Sequence, residues 1–121
     1  MKINKVKLSS KFKSFNDLWS PKIVGELNGQ QVKIAKVNGE FTMHHHVNED
    51  EFFYVIKGTL FIELMDQTLE LHPGEFVIIP KGIDHKPFSH EETHIMLFEP
   101  ASTINTGNKI NELTVNDLEE I

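Results

Sequence analysis

Gly39-Glu40-Phe41-Thr42-Met43-His44-His45-His46-Val47-Asn48-Glu49-Asp50-Glu51-Phe52-Phe53-Tyr54-Val55-Ile56-Lys57-Gly58 is the stretch on which the fold of this chain turns. His44 and His46 stand two apart in a segment that reads as a strand, so both imidazoles project from one face while His45 points to the other. Glu51 follows the polar turn 47–50 and opens a strand, 51–57, where an antiparallel partner brings its carboxylate beside the histidines. Further along, Ile79-Pro80-Lys81-Gly82 reads as a strand end followed by a Pro-Xaa-Gly turn, which reverses the chain and sets His85 at a fixed place. Three imidazoles and a carboxylate aimed at one point form the pattern of a metal site.

Outward from this stretch the chain is punctuated at short intervals. Asn28-Gly29 and Asn38-Gly39 each separate alternating or apolar runs, the strongest local signal for a hairpin. Further runs at 52–56, 60–65, 68–71, 76–79 and 93–98 are divided by Lys57-Gly58, Asp66-Gln67, Pro73-Gly74 and Lys81-Gly82. Many short strands with close turns predict an all-β sandwich or small barrel. Before them, Phe12, Phe15 and Leu18 or Trp19 recur at helical spacing, which predicts a short helix within residues 9–20, capped by Ser9 or Ser10 and stopped by Pro21. Residues 101–121 are mostly polar; Asn105-Thr106-Gly107 reads as a turn, and Thr114 is placed to cap Asp117 in a last helical turn. This tail is expected to wrap the outside of the barrel.

The run Phe52 to Ile56 is apolar on both faces, and such a strand is buried on both sides. One face fills the core. The other calls for cover from the N-terminal segment or from a second copy of the chain, so a homodimer is expected.

With 121 residues the chain fits one domain, 1–121, and needs no covalent staples. It has no cysteine, so any metal is held by nitrogen and oxygen, and the composition suits a cytoplasmic protein. No stretch reads as a leader or a membrane span. A net charge of -6 argues against nucleic acid as the main partner. All 12 basic residues are lysine, so the planar fork that grips carboxylates and phosphates in bidentate fashion is missing.

Two sets of residues together resemble the two motifs of the cupin superfamily. The first motif appears as Gly39, His44, His46, Glu51 and Gly58, with one residue fewer than usual before the first histidine. The second appears as Gly74, Pro80, Gly82 and His85, with Ser89 where the family usually has Asn. The resemblance covers about residues 31–99 and is most like the short single-domain cupins described as mannose-6-phosphate isomerase-like. It implies a jelly-roll barrel of the double-stranded β-helix type whose mouth holds a divalent ion on His44, His46, Glu51 and His85. The missing Asn is not a ligand in the family, so Ser89 bears on pocket shape and not on coordination.

A surface histidine run does not account for Glu51 and His85 standing in register with His44 and His46, whereas Glu49 and Asp50 are ordinary turn charges. His45, His72, His90 and His94 read as surface or core residues, with His94 alone in an apolar run where it could face the interior. Neutral imidazoles with one carboxylate suit Zn, Fe, Mn, Ni, Co or Cu. Three readings follow: a metal-dependent isomerase, epimerase or oxygenase acting on a small molecule; a non-catalytic barrel that binds a metal or a small metabolite; and an inert scaffold. Tyr54 and Glu63 are the candidate bases, and the absence of Arg weakens the sugar-phosphate isomerase version.

Overall fold

The computed structural model describes residues 2–121. β1 (Lys22–Leu27) and β2 (Gln30–Glu40) form a hairpin across Asn28 and Gly29, whose φ angles of 51° and 79° belong to the primed turn that matches strand twist. β3 (Glu51–Lys57), β4 (Leu60–Glu63), β5 (Thr68–Leu71), β6 (Phe76–Ile79) and β7 (Lys86–Pro100) follow, then a short β8 (Glu119–Glu120). The pairings are antiparallel except that between β8 and β1.

β7 ties the roll together. One of its edges runs beside β2, from Gln30↔Pro100 to Glu40↔Phe88. Its other edge is shared between β4, with Phe61↔Phe88, and β3, with Phe52↔Phe98. The partner changes between these two stretches, level with a bulge at Val37/Gly39 in β2, and a bulge supplies the local bend that rolling a sheet requires. The result is the all-β jelly-roll barrel expected from the sequence, with a short N-terminal helix and a mostly irregular tail.

Alternation along the strands points Ala35, Val37, Phe53, Val55, Ile95 and Leu97 inward, where they form one buried cluster with Leu60, Ile62, Leu71 and Ile79. Residues of the opposite parity face out. There Phe12, Phe15 and Ile34 make a second cluster, with Ile56 and Met96 packed against it. The N-terminal segment thus covers part of the outer face of β2, β3 and β7. Phe52 and Tyr54 lie beyond that cover and are half-buried; beside them Phe76 and Ile78 on β6 are 58% and 54% exposed.

Four local expectations differ from the structure. The helix α1 spans only Leu8–Phe12, and neither Ser9 nor Ser10 caps it, because both lie inside it; the chain then runs irregularly so that Phe15 can reach the barrel. Asn38-Gly39 makes no hairpin: Gly39, with φ of 81°, sits at the bulge in β2, and the strand continues because β7 pairs with it on both sides. β7 begins at Lys86, well before the apolar run at 93–98 that announces it, since pairing overrides the polar stretch between. The final residues form β8 instead of a helical turn, and Thr114 bonds Thr106 and the Asn111 amide without capping Asp117. Among the described residues no helix is long and apolar enough to cross a membrane.

Candidate metal centre

His44, His46, Glu51 and His85 each bring one ligand atom within 4.8 Å of the others, and all four are buried. Backbone pairing produces this convergence. His44 and His85 exchange two backbone hydrogen bonds, 3.0 and 2.8 Å, as an isolated antiparallel pair outside the named strands. The Gly82 amide donates to His46 O at 2.8 Å, and the Lys81 amide donates to Asp50 Oδ1 at 2.9 Å. The turn at 80–82 is therefore docked on the loop that carries the first two histidines. Glu51 opens β3 opposite Ile79, the last residue of β6, so the same turn leads from Glu51's neighbour to His85. The expected alternation holds although no regular strand forms: His44 and His46 are buried, and His45 turns outward to Asp84 at 2.9 Å.

Ring orientation is held from behind. His44 Nδ1 lies 2.9 Å from Thr42 O and His85 Nδ1 2.9 Å from Ile83 O, so each ring donates from Nδ1 to a carbonyl and leaves Nε2 with its lone pair. His85 Nε2 and His46 Nε2 both approach Glu51 Oε1, at 3.2 and 3.1 Å. His44 Nε2 and His46 Nδ1 are buried without a hydrogen-bond partner. Buried orphan nitrogens are rare in folded proteins. Lone pairs crowded around one carboxylate fit a divalent cation in their midst.

The electrostatics suit the same reading. Burial, with the nearby His85, pushes His44 down to about 4, so its ring is neutral and available as a ligand. Burial by itself would raise Glu51, but the imidazoles of His46 and His85 beside it outweigh burial and hold the carboxyl well below the usual range. Next to Glu51 lies Glu99, which burial and then the Glu51 charge push well above the usual carboxylate range. Lys33 Nζ meets Glu99 Oε1 at 2.8 Å, with the two side chains 1% and 2% exposed. Glu99 Oε2 has no donor among the described residues, so a proton shared with Glu51 is the hydrogen bond open to it.

Beside the four ligand groups is a cavity of about 40 Å³, lined by Trp19, Phe41, Phe53, Ile95, Leu97 and Glu99 among others. Trp19 stacks on Phe41 with ring centres 4.7 Å apart, and its Nε1 donates to Asn38 O at 2.9 Å. Its φ of 57° is a conformation bulky residues rarely adopt, held here by the stack and by the Trp19 amide bonding Lys36 O. The tail does more than wrap the outside. Asn108 exchanges hydrogen bonds with the His45 backbone, and Asn105 lines the cavity.

The other candidates lie elsewhere. Tyr54 faces outward beside Phe52, Glu63 pairs with Lys86 at 3.4 Å, and neither reaches the cavity. His94 faces out and stacks on Phe12 at 4.4 Å. Ser89 is buried at the β2 bulge, bonding backbone carbonyls of Val37 and Glu91. The residues missed in the sequence are Lys33, Glu99 and Trp19. Two of them carried a signal: Lys33 alternates with Ala35 and Val37, and Glu99 with Ile95 and Leu97, so each shares the inner face. Trp19 carried none.

The cupin domain family matches residues 31–99. A cupin-2 domain containing protein from Shewanella frigidimarina is 46% identical, covers 78% of this chain and 93% of its own, and superposes with a TM-score of 0.78. KdgF from a Halomonas species is 28% identical over 66% of this chain and 78% of its own, with a TM-score of 0.59. The uncharacterized protein YdbB of Bacillus subtilis is 37% identical over 58% of this chain. The chain spans 63% and 64% of the length of the two curated relatives it matches. Rolled sheet, paired motifs, buried ligand set and family match coincide on the same residues, and the chain belongs to the cupin domain family.

Proposed function

We propose that this cupin holds one divalent cation on His44, His46, Glu51 and His85 and uses it to bind a small polar metabolite. The convergence of four buried ligand atoms within 4.8 Å carries this reading. Without a cation, His44 Nε2 is buried with no partner and the Nε2 lone pair of His85 faces the Glu51 carboxylate. Four protein ligands leave a position open on a five- or six-coordinate ion among Zn, Fe, Mn, Ni, Co and Cu. Bound there, the ion supplies Lewis acidity toward a hydroxy-carbonyl, or an anchor for dioxygen if it is redox-active iron.

The chain's own residues orient and exclude. Thr42 and Ile83 carbonyls hold the tautomers of His44 and His85, and the aromatic walls keep bulk water from the ligand groups. A redox-active iron favours oxygenase chemistry, and zinc or nickel favours Lewis-acid work or simple storage. A non-catalytic binder is the second reading, favoured by the outward positions of Tyr54 and Glu63, which leave no base of the expected kind at the site.

Metal analysis of protein purified without a histidine tag tests the proposal. Wild type is expected to carry close to one divalent ion per chain, and His44→Ala and His85→Ala to lose it. A folded wild type that refuses all six ions overturns the proposal. The half-covered face of Phe52, Tyr54, Phe76 and Ile78 further supports a homodimer. Light scattering at micromolar concentration is expected to give twice the chain mass, and a single-chain mass overturns the dimer.

A further inference from the structure

His44, His46, Glu51 and His85 are each no more than 4% exposed, so part of the surrounding shell must move before an ion or a metabolite reaches them. Most of that shell is firmly held. The barrel strands are locked by their ladders, and Trp19 is fixed by its amide to Lys36 O, by its Nε1 to Asn38 O and by its stack on Phe41.

The tail is attached differently. Among the described residues, 104–118 make only two hydrogen bonds to the barrel, both between Asn108 and the His45 backbone. The Asn108 amide donates to His45 O, and the His45 amide donates to Asn108 Oδ1, each at 2.9 Å. Other polar groups of the segment pair within it: Asn105 bonds Leu113 O and the Val115 amide at 2.9 Å, and Thr114 Oγ1 meets Thr106 Oγ1 at 2.6 Å and the Asn111 amide at 3.0 Å. Undocking leaves those pairs intact, so the segment can lift as a unit without stranding them. Both ends are tethered, by Ser102 Oγ donating to Glu49 at 2.8 Å and by the Ile121 amide donating to Ile23 O at 3.0 Å.

This strap crosses the ligand segment itself. Gly107 lies so near that an added Cβ would stand 2.9 Å from His44 Cδ2. Between the strap and the histidine loop lies a second cavity of about 170 Å³, lined by His46, Glu49, Ser102, Ile104, Gly107 and Asn108 among others. Resting on the metal reading above, we infer that residues 104–118 form a gate over the metal centre. Release of Asn108 from His45 joins the ligand groups to that cavity, and metal exchange waits on this step.

Stopped-flow uptake of Co(II) by metal-free protein, and its release to excess chelator, test the gate through visible absorption. Uptake by the wild type is expected to level off at the opening rate as Co(II) rises, whereas ungated binding rises in proportion throughout. Asn108→Ala removes the Oδ1 bond and keeps the amide. Loss of one such bond is expected to raise the uptake plateau and the release rate together by about fivefold, with the Kd from chelator competition unchanged within about twofold. Gly107 is left in place in this test, because a Cβ there presses on His44 and alters affinity directly. Wild-type uptake that stays proportional to Co(II) overturns the gate without any variant. So does an Asn108→Ala protein with wild-type rates, or one in which release alone accelerates and Kd weakens to match, the signature of a disturbed ligand set. A wild type that binds no Co(II) overturns the metal reading, and the gate falls with it.

Discussion

Replacing Glu99 by leucine isolates the energetics of the polar row behind the site. Lys33 is 1% exposed, and Glu99 is its ion-pair partner at 2.8 Å. The leucine variant leaves an ammonium group inside the barrel with no acceptor. Removing one partner of a buried pair costs about 3–5 kcal/mol, because the remaining charge keeps its desolvation penalty and loses its compensation. At roughly 4 °C per kcal/mol for a chain of this size, the melting temperature is expected to fall by about 12–20 °C. Adding Lys33→Met removes the stranded charge, and a matched apolar pair is commonly neutral or stabilising, so the double variant is expected within about 1 kcal/mol of wild type. Urea unfolding followed by circular dichroism, in chelator at neutral pH, measures both steps of the cycle. A single variant as stable as wild type, or a double variant no better than the single, would refute the assignment of Lys33 and Glu99 as mutually dependent buried charges.

Two further predictions concern the site itself. Gly107, with φ of 55°, lies so close to the first ligand segment that an added Cβ would sit 2.9 Å from His44 Cδ2 and closer still to His45 O. Gly107→Ala is expected to push the tail off that segment, costing about 1–3 kcal/mol and weakening metal affinity measured by competition with a chromophoric chelator; unchanged stability and affinity would show that the tail is not seated there. The third prediction is a pH dependence of the metal-free protein. His44 takes up a proton near 6.5 in the unfolded chain but only near 4 in the folded one, so the unfolded state binds more protons between these values. Stability contributed by this site therefore declines as pH falls from about 6.5 to 4, by about 3 kcal/mol when complete. Urea midpoints across that range are expected to fall more steeply for wild type than for His44→Gln; parallel curves would contradict it.

How much of this was legible depended on the range of the interaction involved. Asn28-Gly29 was readable because its left-handed backbone is a local preference, and the turn formed where it was expected. Asn38-Gly39 has the same local preference, but β7 pairs along both sides of it, so a bulge replaced the turn. Ser9 and Ser10 promised a cap on local grounds, yet packing of Phe12 and Phe15 on Ile34 set where α1 begins and ends.

The sequence by itself determined a chain of short strands, through period and turn chemistry, and the resemblance of its two motifs to the cupin superfamily implied the jelly-roll barrel and singled out His44, His46, Glu51 and His85. Tertiary structure alone decided that these four meet, through the docking of the turn at 80–82 on the histidine loop. It alone placed Lys33 and Glu99 behind Glu51, and Trp19 and the tail across the cavity. Those neighbours come from distant parts of the chain. Their contacts are set by strand register and close packing, which no local pattern encodes.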